Sequence, residues 1–151
     1  MRPQFTPSLL SHTMSSLPDD VLKHKLRSFK YVNLCGEVVT KKMVEKFNKL
    51  FPAIKLVNLY SISECHDAAQ SILYGPDNEL YGPSRSPKYA AAGKAIPNIN
   101  IHVLDEGQKE CPVGGFGEVY VSGPCTAIGY LNKPEQVSAA PLFCVLLLTI
   151  G

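Results

Sequence analysis

One stretch in the first half of the sequence constrains the possible folds most strongly, because two kinds of hydrophobic pattern alternate in it. Apolar residues recur with the spacing of a helix that buries one face: Met43, Val44, Phe47, Leu50 and Phe51. Thr40 is suited to cap the start of this helix, and Pro52 ends it. Short β-prone segments flank the helix at residues 29–35 and 54–60. The stretch therefore predicts a βαβ unit whose strands run parallel, joined by a right-handed crossover.

This arrangement indicates where a ligand would bind, because open parallel sheets bind ligands beyond the carboxyl ends of their strands. The first predicted strand is followed by Gly36 and Glu37, and the second leads into residues 60–64, with the sequence YSISE. The latter segment combines an aromatic ring, two hydroxyls and a carboxylate, which suit a purine, phosphate oxygens and a divalent cation. On periodicity alone, a capped turn that starts a helix is the favoured interpretation of this segment.

The second half of the chain has the alternating pattern of antiparallel strands. Apolar and polar residues alternate over residues 98–104 and again over residues 117–122, with a turn predicted at residues 105–107. Residues 75–87 carry three prolines and two glycines, which predict a long surface loop between the two halves. We therefore expect an α/β fold, in which the βαβ unit of a parallel sheet is followed by a smaller antiparallel β part.

Charge and cysteine content argue against several classes of protein. The 15 basic and 13 acidic residues give a net charge of +2, too balanced for electrostatic binding of nucleic acid. Five cysteines without a CxxC pair argue against a disulfide framework and against a thiolate zinc site, although Cys65 and His66 are adjacent. The apolar run at residues 141–150 is half of the roughly 20 residues that a membrane-spanning helix needs. Without the apolar core of a secretory signal at the start, we expect a cytoplasmic protein with no membrane span.

Four short segments resemble motifs of the adenylate-forming enzymes, the superfamily of acyl-CoA synthetases, luciferases and nonribosomal-peptide-synthetase adenylation domains. The segments are residues 34–37 (LCGE), 58–64 (NLYSISE), 93–98 (GKAIPN), and 117–123 (GEVYVSG) with 129–131 (GYL). They are similar to the family patterns G-G-E, N-x-Y-G-x-T-E, G-x-P-x-P-N and G-E-L-x-V-x-G followed by G-Y-L. Residues 5–10 also resemble the helix start that precedes these motifs. Since all four occur in the family's order over about residues 5–136, chance is a poor explanation.

The resemblance implies part of the large N-terminal subdomain of an adenylation domain, which activates a small carboxylic or amino acid with ATP and Mg²⁺. The implied nucleotide-binding residues are Gly36, Glu37, Asn58, Tyr60, Ser61 and Ser63. Tyr60 would stack on adenine, and the implied catalytic residues are Ser63, at the α-phosphate, and Glu64, the Mg²⁺ ligand. The implied acyl pocket consists of Asn33, Cys35, Leu59, Asp67 and Ala68. The acyl group would then pass to a thiol, on coenzyme A or on the phosphopantetheine of a carrier domain.

The sequence also departs from the family pattern. Ser61 replaces a glycine, and Ile62 and Ala95 replace frequent prolines. The family's Ser/Thr/Gly-rich phosphate loop, its Y-x-T-G-D motif and its catalytic lysine do not occur among the 151 residues. We therefore expect residues 1–138 to form a partial AMP-binding adenylation domain, an incomplete version of the fold. Residues 139–151 are predicted to be an unrelated apolar tail, and this chain alone is predicted not to catalyse adenylation.

Two alternatives remain open at this point. A non-catalytic binding or structural protein could retain part of the fold without the reaction, and an unrelated nucleotide-binding α/β domain would explain the βαβ unit but not the later glycine motifs. Asp67 carries a substrate hypothesis of its own, since a carboxylate in the pocket could meet the cationic group of an amino or quaternary-amine acid. Its favoured alternative role is that of an acidic residue at a helix N-terminus.

Overall fold

The computed structural model describes residues 3–74, 88–132 and the backbone of residues 143–144. The helices are α1 (Pro7–Ser16), α2 (Asp19–Leu26) and α3 (Lys41–Leu50). The strands are β1 (Gln4–Phe5), β2 (Tyr31–Cys35), β3 (Lys55–Ile62), β4 (His66–Tyr74), β5 (Lys94–Ala95), β6 (Asn100–Leu104), β7 (Glu118–Ser122) and β8 (Phe143–Cys144). The chain forms two compact units: Met1–Tyr60 with Ala69–Lys94, and Ser61–Ala68 with Ala95–Gly151.

The predicted βαβ unit is confirmed by β2, α3 and β3. The two strands pair in parallel, with a register that runs from Tyr31 opposite Lys55 to Cys35 opposite Leu59. Thr40 caps α3, since its hydroxyl accepts a hydrogen bond of 3.3 Å from the backbone N–H of Met43. The apolar face of α3 joins the buried cluster that includes residues of both strands: Val32, Leu34, Met43, Val44, Phe47, Leu50 and Leu56. Each large side chain buried in this way contributes about 1.5–3 kcal/mol to stability.

Two further helices complete the apolar layer of the first unit. The hydroxyl of Thr6 caps α1 by accepting from the N–H of Leu9, and proline occupies the first helical turn, where it is tolerated. This confirms the helix start that the sequence predicted within residues 5–10. Leu10 and Met14 of α1 and Leu22 of α2 belong to the same buried cluster as the face of α3. Both helices are therefore held by burial of an apolar stripe.

The strand after α3 continues beyond its predicted end at residue 60, and no helix follows it. β3 extends to Ile62, and only residues 63–65 separate it from β4. A connection this short joins antiparallel strands, so the sheet, with strand order β1-β2-β3-β4-β5, is mixed. The favoured interpretation of residues 60–64 as the start of a helix is therefore wrong, and so is the helix N-terminal role for Asp67, which lies in β4. Strand pairing overrides the weak local signal here.

The second unit contains the predicted antiparallel part. β6 pairs with β7 in a register from Asn100 opposite Ser122 to Leu104 opposite Glu118, and β8 pairs with the other edge of β7. In the predicted turn after β6, the carboxylate of Asp105 accepts hydrogen bonds from the N–H groups of Gly107 (2.8 Å) and Lys109 (3.0 Å). Both the antiparallel pairing and the turn confirm the sequence-based predictions.

Two sequence-based predictions fall mainly on residues that the structure does not describe. The predicted surface loop at residues 75–87 lies outside the described residues. Of the predicted apolar tail at residues 139–151, only residues 143–144 are described, as the backbone of β8. No helix within residues 3–74 or 88–132 combines the length and the apolar character that crossing a membrane requires.

Candidate functional site

The parallel register places the ends of β2 and β3 side by side. Cys35 is the last residue of β2 and pairs with Leu59, so Gly36 and Tyr60 occupy the next position of the same register. Gly36 follows β2 with a φ angle of +81°, in the left-handed region. An added Cβ at this glycine would meet no atom within 4 Å. The backbone conformation, not space, is therefore what favours glycine at this position.

Three of the predicted acyl-pocket residues share one face of this strand pair. Asn33 and Cys35 are two residues apart on β2, and Leu59 is the partner of Cys35, so their side chains point to the same side. All three are half-buried, whereas Val32 and Leu34, on the opposite face, are buried in the cluster that contains α3. The structure therefore gathers these three predicted residues on the sheet face away from the apolar cluster.

The two polar residues predicted near the nucleotide base both hold neighbouring backbone in place. The carboxylate of Glu37 accepts hydrogen bonds from the N–H (2.8 Å) and the hydroxyl (2.7 Å) of Ser8, in the first turn of α1. A carboxylate at a helix N-terminus is favoured by the helix dipole. The buried side chain of Asn58 donates a hydrogen bond of 3.0 Å to the backbone carbonyl of Ala91. Sequence reasoning found Glu37 and Asn58 but missed both of these partners.

In the second unit, the turn between β3 and β4 meets a segment more than sixty residues further along the chain. The N–H of Ala127 donates a hydrogen bond of 2.6 Å to the carbonyl of Glu64, and the hydroxyl of Tyr130 donates to the Glu64 carboxylate. Ser63, on the same turn, is exposed. Together these residues line a cleft of about 200 Å³: Ser63, Glu64, Ala127, Gly129 and Tyr130. Two of the predicted family motifs, residues 58–64 and 129–131, therefore meet at one cleft.

Tyr130 is a site residue to which the sequence assigned no role, although its motif was identified. The hydrogen bond to the Glu64 carboxylate, desolvation and the negative charge of Glu64 raise the pKa of the Tyr130 phenol. Over the described ranges 3–74 and 88–132, Tyr130 is the one side chain that hydrogen-bonds Glu64, and no lysine or arginine pairs with it. Within the described part of the chain, the Glu64 carboxylate is therefore held by Tyr130 and not by a cationic side chain.

The predicted magnesium ion is compatible with this carboxylate. In the part of the chain that the structure describes, no group of three or more His, Cys, Asp or Glu side chains could hold a metal ion. The described side chains therefore include no complete protein cage for a metal ion. Mg²⁺ differs in that one or two carboxylates bind it together with substrate phosphates and water. Glu64, partly exposed at the cleft, fits this mode of binding.

The start of β4 carries the remaining predicted pocket residues. Ala68 is fully buried, and Asp67 is half-buried. One carboxylate oxygen of Asp67, Oδ2, lies 3.4 Å from Nδ1 of His66. The other, Oδ1, is buried and has no hydrogen-bond partner among the described residues. A buried acceptor of this kind is costly unless a ligand or water satisfies it.

Cys65, between Glu64 and these residues, is buried, and its thiol donates a hydrogen bond of 3.8 Å to the carbonyl of His66. Burial, followed by the charge of Cys125 and a hydrogen bond with it, raises the pKa of the Cys65 thiol to about 11. Ser61, which replaces a glycine of the family pattern, lies within β3, and among the described residues it is not one of those with a positive φ angle. The serine therefore fits the backbone at this position without strain.

The chain is similar to proteins of a known family along most of its length. The family model of the AMP-binding enzymes matches residues 4–131. A subunit of the mycosubtilin synthase of Bacillus subtilis is 32% identical over 139 residues, which are 87% of this chain and 5% of that protein. The D-alanine–D-alanyl carrier protein ligase of Streptococcus pyogenes is 31% identical over 138 residues, 89% of this chain and 25% of the ligase. The chain thus spans a quarter or less of these two relatives.

Solved structures show the same fold. An adenylation domain of a keto acid-selecting nonribosomal-peptide-synthetase module, bound to a keto acyl adenylate, superposes with a TM-score of 0.75 at 16% identity, covering 95% of this chain and 33% of that one. The anthranilate CoA ligase AuaEII, in complex with anthranoyl-AMP, gives a TM-score of 0.74 at 14% identity, covering 95% of this chain and 26% of the ligase. The fold is therefore that of part of an adenylation domain. This chain belongs to the AMP-binding enzyme family.

Proposed function

We propose that residues 4–131 form part of an enzyme that activates a carboxylic or amino acid with ATP and passes the acyl group to a thiol. The observation that carries this proposal is the cleft at which Ser63 and Glu64 meet Tyr130. It brings together two family motifs that are far apart in the sequence. The adjacent ends of the parallel strands β2 and β3 carry further residues that the motifs at 34–37 and 58–64 predict to bind the nucleotide.

For the nucleotide, each proposed role uses a group whose placement suits it. Tyr60 stacks on the adenine ring, beside Gly36, which occupies the adjacent position at the end of β2. Ser61 and Ser63 hydrogen-bond the phosphates through their hydroxyls. Glu37 and Asn58 lie near the base; their hydrogen bonds to Ser8 and Ala91 support the proposal that they shape the walls of the base site.

Glu64 is the proposed magnesium ligand, and Tyr130 orients its carboxylate. Magnesium, when bound, would compensate the negative charge of the phosphates during attack by the acid. The tyrosine hydroxyl donates a hydrogen bond to one carboxylate oxygen of Glu64, and this bond restricts the rotation of the carboxylate group. Ser63 is exposed at the same cleft and donates to the α-phosphate or the adenylate. These residues position and stabilise charge, which is most of what nucleotidyl transfer requires from a protein.

For the acid, the proposed pocket consists of Asn33, Cys35, Leu59, Asp67 and Ala68. The unsatisfied oxygen of Asp67 supports a substrate with a cationic group, such as an amino acid, because an ammonium would supply the missing donor. The proposed acceptor is the thiol of coenzyme A or of a phosphopantetheine on a carrier domain. The D-alanine–D-alanyl carrier protein ligase among the relatives supports the carrier.

The proposal is tested by mapping where ATP contacts the chain. Saturation-transfer NMR with ATP and Mg²⁺ should show the strongest saturation at the adenine protons, because they lie against the Tyr60 ring. Tyr60→Leu should remove that signal. Tyr89→Leu is the matched control, since Tyr89 is an exposed tyrosine of the same unit, 39% accessible, and has no proposed role.

Equal adenine saturation in the wild type and in Tyr60→Leu would contradict the proposed nucleotide site. A second outcome is adenine saturation that depends on Tyr60 but does not change when any carboxylic acid is added. That outcome would favour a non-catalytic nucleotide-binding protein instead.

A further inference from the structure

We propose that a cavity between helices α2 and α3 binds a small phosphate monoester, at a site distinct from the one proposed for ATP. The cavity has a volume of about 290 Å³, and its lining comprises Asp19 and Lys23 of α2 with Lys46, Lys49 and Leu50 of α3. This inference does not rest on the proposed function, because none of these residues has a role in it.

The cavity is distinct from both parts of the proposed nucleotide site. In a βαβ unit the helix runs antiparallel to the two strands, so the C-terminal half of α3 lies at the end of the sheet opposite Gly36 and Tyr60. The lysines that α3 contributes to the cavity are in that half. The cleft at Glu64 belongs to the second unit, whereas every residue that lines this cavity belongs to the first.

Three exposed lysines line the cavity, and they lack carboxylate partners. Among residues 3–74 and 88–132, no Asp or Glu side chain forms an ion pair with Lys23, Lys46 or Lys49. Lys46 and Lys49 are three residues apart on α3, so they are neighbours on one face of the helix, where like charges repel. A bound anion would reduce this repulsion and supply the missing counter-charge.

A serine of α1 fixes the position of one of the three ammonium groups. The Ser15 hydroxyl accepts a hydrogen bond of 3.1 Å from Lys46 Nζ and donates one of 2.9 Å to the backbone carbonyl of Ser11. Because a lysine ammonium has three N–H donors, two donors of Lys46 are left without a partner among the described residues. The serine therefore holds the ammonium at the cavity with donors to spare for a phosphate oxygen.

The charge and the size of the cavity indicate the class of ligand. Three lysines and one aspartate give the lining a net charge of +2, which complements a phosphate monoester, whose charge near pH 7 is about −1.5 to −2. Leu50 supplies an apolar wall for the organic part of the ester. The volume is close to the lower limit for small-molecule pockets, about 300 Å³, so the ester should be small.

Two ligands of the same shape test the charge requirement. Phenyl phosphate and phenyl sulfate differ in charge, because the sulfate carries a single negative charge at any pH near neutrality. In backbone-amide NMR of the full 151-residue chain at about pH 7.5, phenyl phosphate should shift the signals of Lys23, Lys46 and Lys49 most. The dissociation constant of phenyl sulfate should be higher by roughly fivefold. This difference should shrink at about pH 5, below the second pKa of the phosphate, about 6.

Matched lysine variants locate the site. Lys46→Gln and Lys49→Gln should each raise the dissociation constant of phenyl phosphate by roughly fivefold, because each removes a charge that lines the cavity. Lys25→Gln and Lys42→Gln are the controls, since they remove the same charge from exposed positions of α2 and α3 outside the lining. The control variants should change the dissociation constant by less than about twofold.

Four outcomes would overturn the proposal. Equal losses in all four variants would mean that phenyl phosphate responds only to the general charge of the surface. Signal shifts centred on Ser63 and Tyr130 would place the phosphate in the cleft of the second unit. Equal affinity for the two ligands at about pH 7.5, or an affinity ratio that does not change at about pH 5, would show that a double negative charge is not required.

Discussion

Gly36 and Gly93 show how two residues of the same type can be required for different reasons. Both have a positive φ angle, +81° and +103°. Around Gly36 there is open space, so Gly36→Ala should cost only the strain of a side chain in the left-handed region, about 1–2 kcal/mol of unfolding free energy. At Gly93, an added Cβ would lie 1.9 Å from the backbone carbonyl oxygen of Gln70. Gly93→Ala must therefore also displace β4.

Urea unfolding of the two alanine variants measures this difference. The midpoint should fall in both, and it should fall clearly further for Gly93→Ala, because only that variant must also displace the backbone of a paired strand. Equal losses in the two variants would contradict the close packing of Gly93 against β4.

Asp67 provides the second prediction for a single residue. Its buried, unpartnered oxygen would bind the ammonium group of an amino acid through a charge-assisted hydrogen bond, worth about 1.5–3 kcal/mol. Asp67→Asn should therefore raise the dissociation constant of an amino acid by roughly tenfold or more, while that of a neutral acid of equal size should be almost unchanged. NMR titration of both ligands gives the two ratios. The same loss for both would show that Asp67 has no part in charge recognition.

At this scale, the sequence yields candidate residues for the chemistry but not the residues that they contact. Ser63 and Glu64 follow from a motif of contiguous residues. The contact of Glu64 with Tyr130, and that of Glu37 with Ser8, join residues far apart in the chain. Such contacts depend on how the elements pack, and the spacing of residues along the sequence does not encode them.

Among the secondary-structure elements, prediction succeeded where periodicity was strong. The helix at α3 has a complete apolar stripe and a capping threonine, so its bounds follow from the sequence to within one residue. β4 was missed because it pairs with β3 through a hairpin of three residues, and the serines, glutamate and cysteine there carry little strand propensity. The positive φ angle of His66, +57°, marks the tight turn that this hairpin requires. Pairing between strands therefore decided the structure of a segment whose local sequence was ambiguous.

The link between the β3–β4 turn and the segment at residues 127–130 predicts a pH dependence. The hydrogen bond to Glu64 favours the neutral phenol and raises the pKa of Tyr130. Its contribution to stability is therefore complete below the pKa of an unfolded tyrosine, about 10, and is lost as the pH rises through the raised folded value. Glu64→Gln removes the charge and should move the Tyr130 pKa down towards its ordinary value.

An ultraviolet difference titration isolates this one phenol. Subtracting the titration of Tyr130→Phe from that of the wild type leaves the Tyr130 transition, and the same subtraction is repeated in the Glu64→Gln background. A Tyr130 transition at the same pH in both backgrounds would mean that the contact with Glu64 does not persist in solution.

For the molecule as a whole, residues 4–131 match the AMP-binding family, and the chain spans 25% of the D-alanine–D-alanyl carrier protein ligase. The phosphate loop, the Y-x-T-G-D motif and the catalytic lysine that the family resemblance predicts do not occur in the 151 residues. We therefore expect no acid-dependent exchange of pyrophosphate into ATP by this chain alone, because positioning and charge stabilisation by these groups provide most of the catalysis. Exchange that requires both Mg²⁺ and a carboxylic acid, and that is lost in Glu64→Ala, would refute this expectation.

The central claim is that this chain binds the magnesium complex of ATP through Glu64. The most direct test is to compare the dissociation constants of ATP with Mg²⁺ and with EDTA, by NMR titration of wild type, Glu64→Gln and Glu110→Gln. Glu110 is the control, because its carboxylate is exposed and pairs only with His102 among the described residues. We predict that Mg²⁺ tightens ATP binding by about tenfold, or ~1.4 kcal/mol, in wild type and Glu110→Gln, and has no such effect in Glu64→Gln. An equal gain from Mg²⁺ in all three proteins would contradict the assignment of Glu64 and the magnesium site with it.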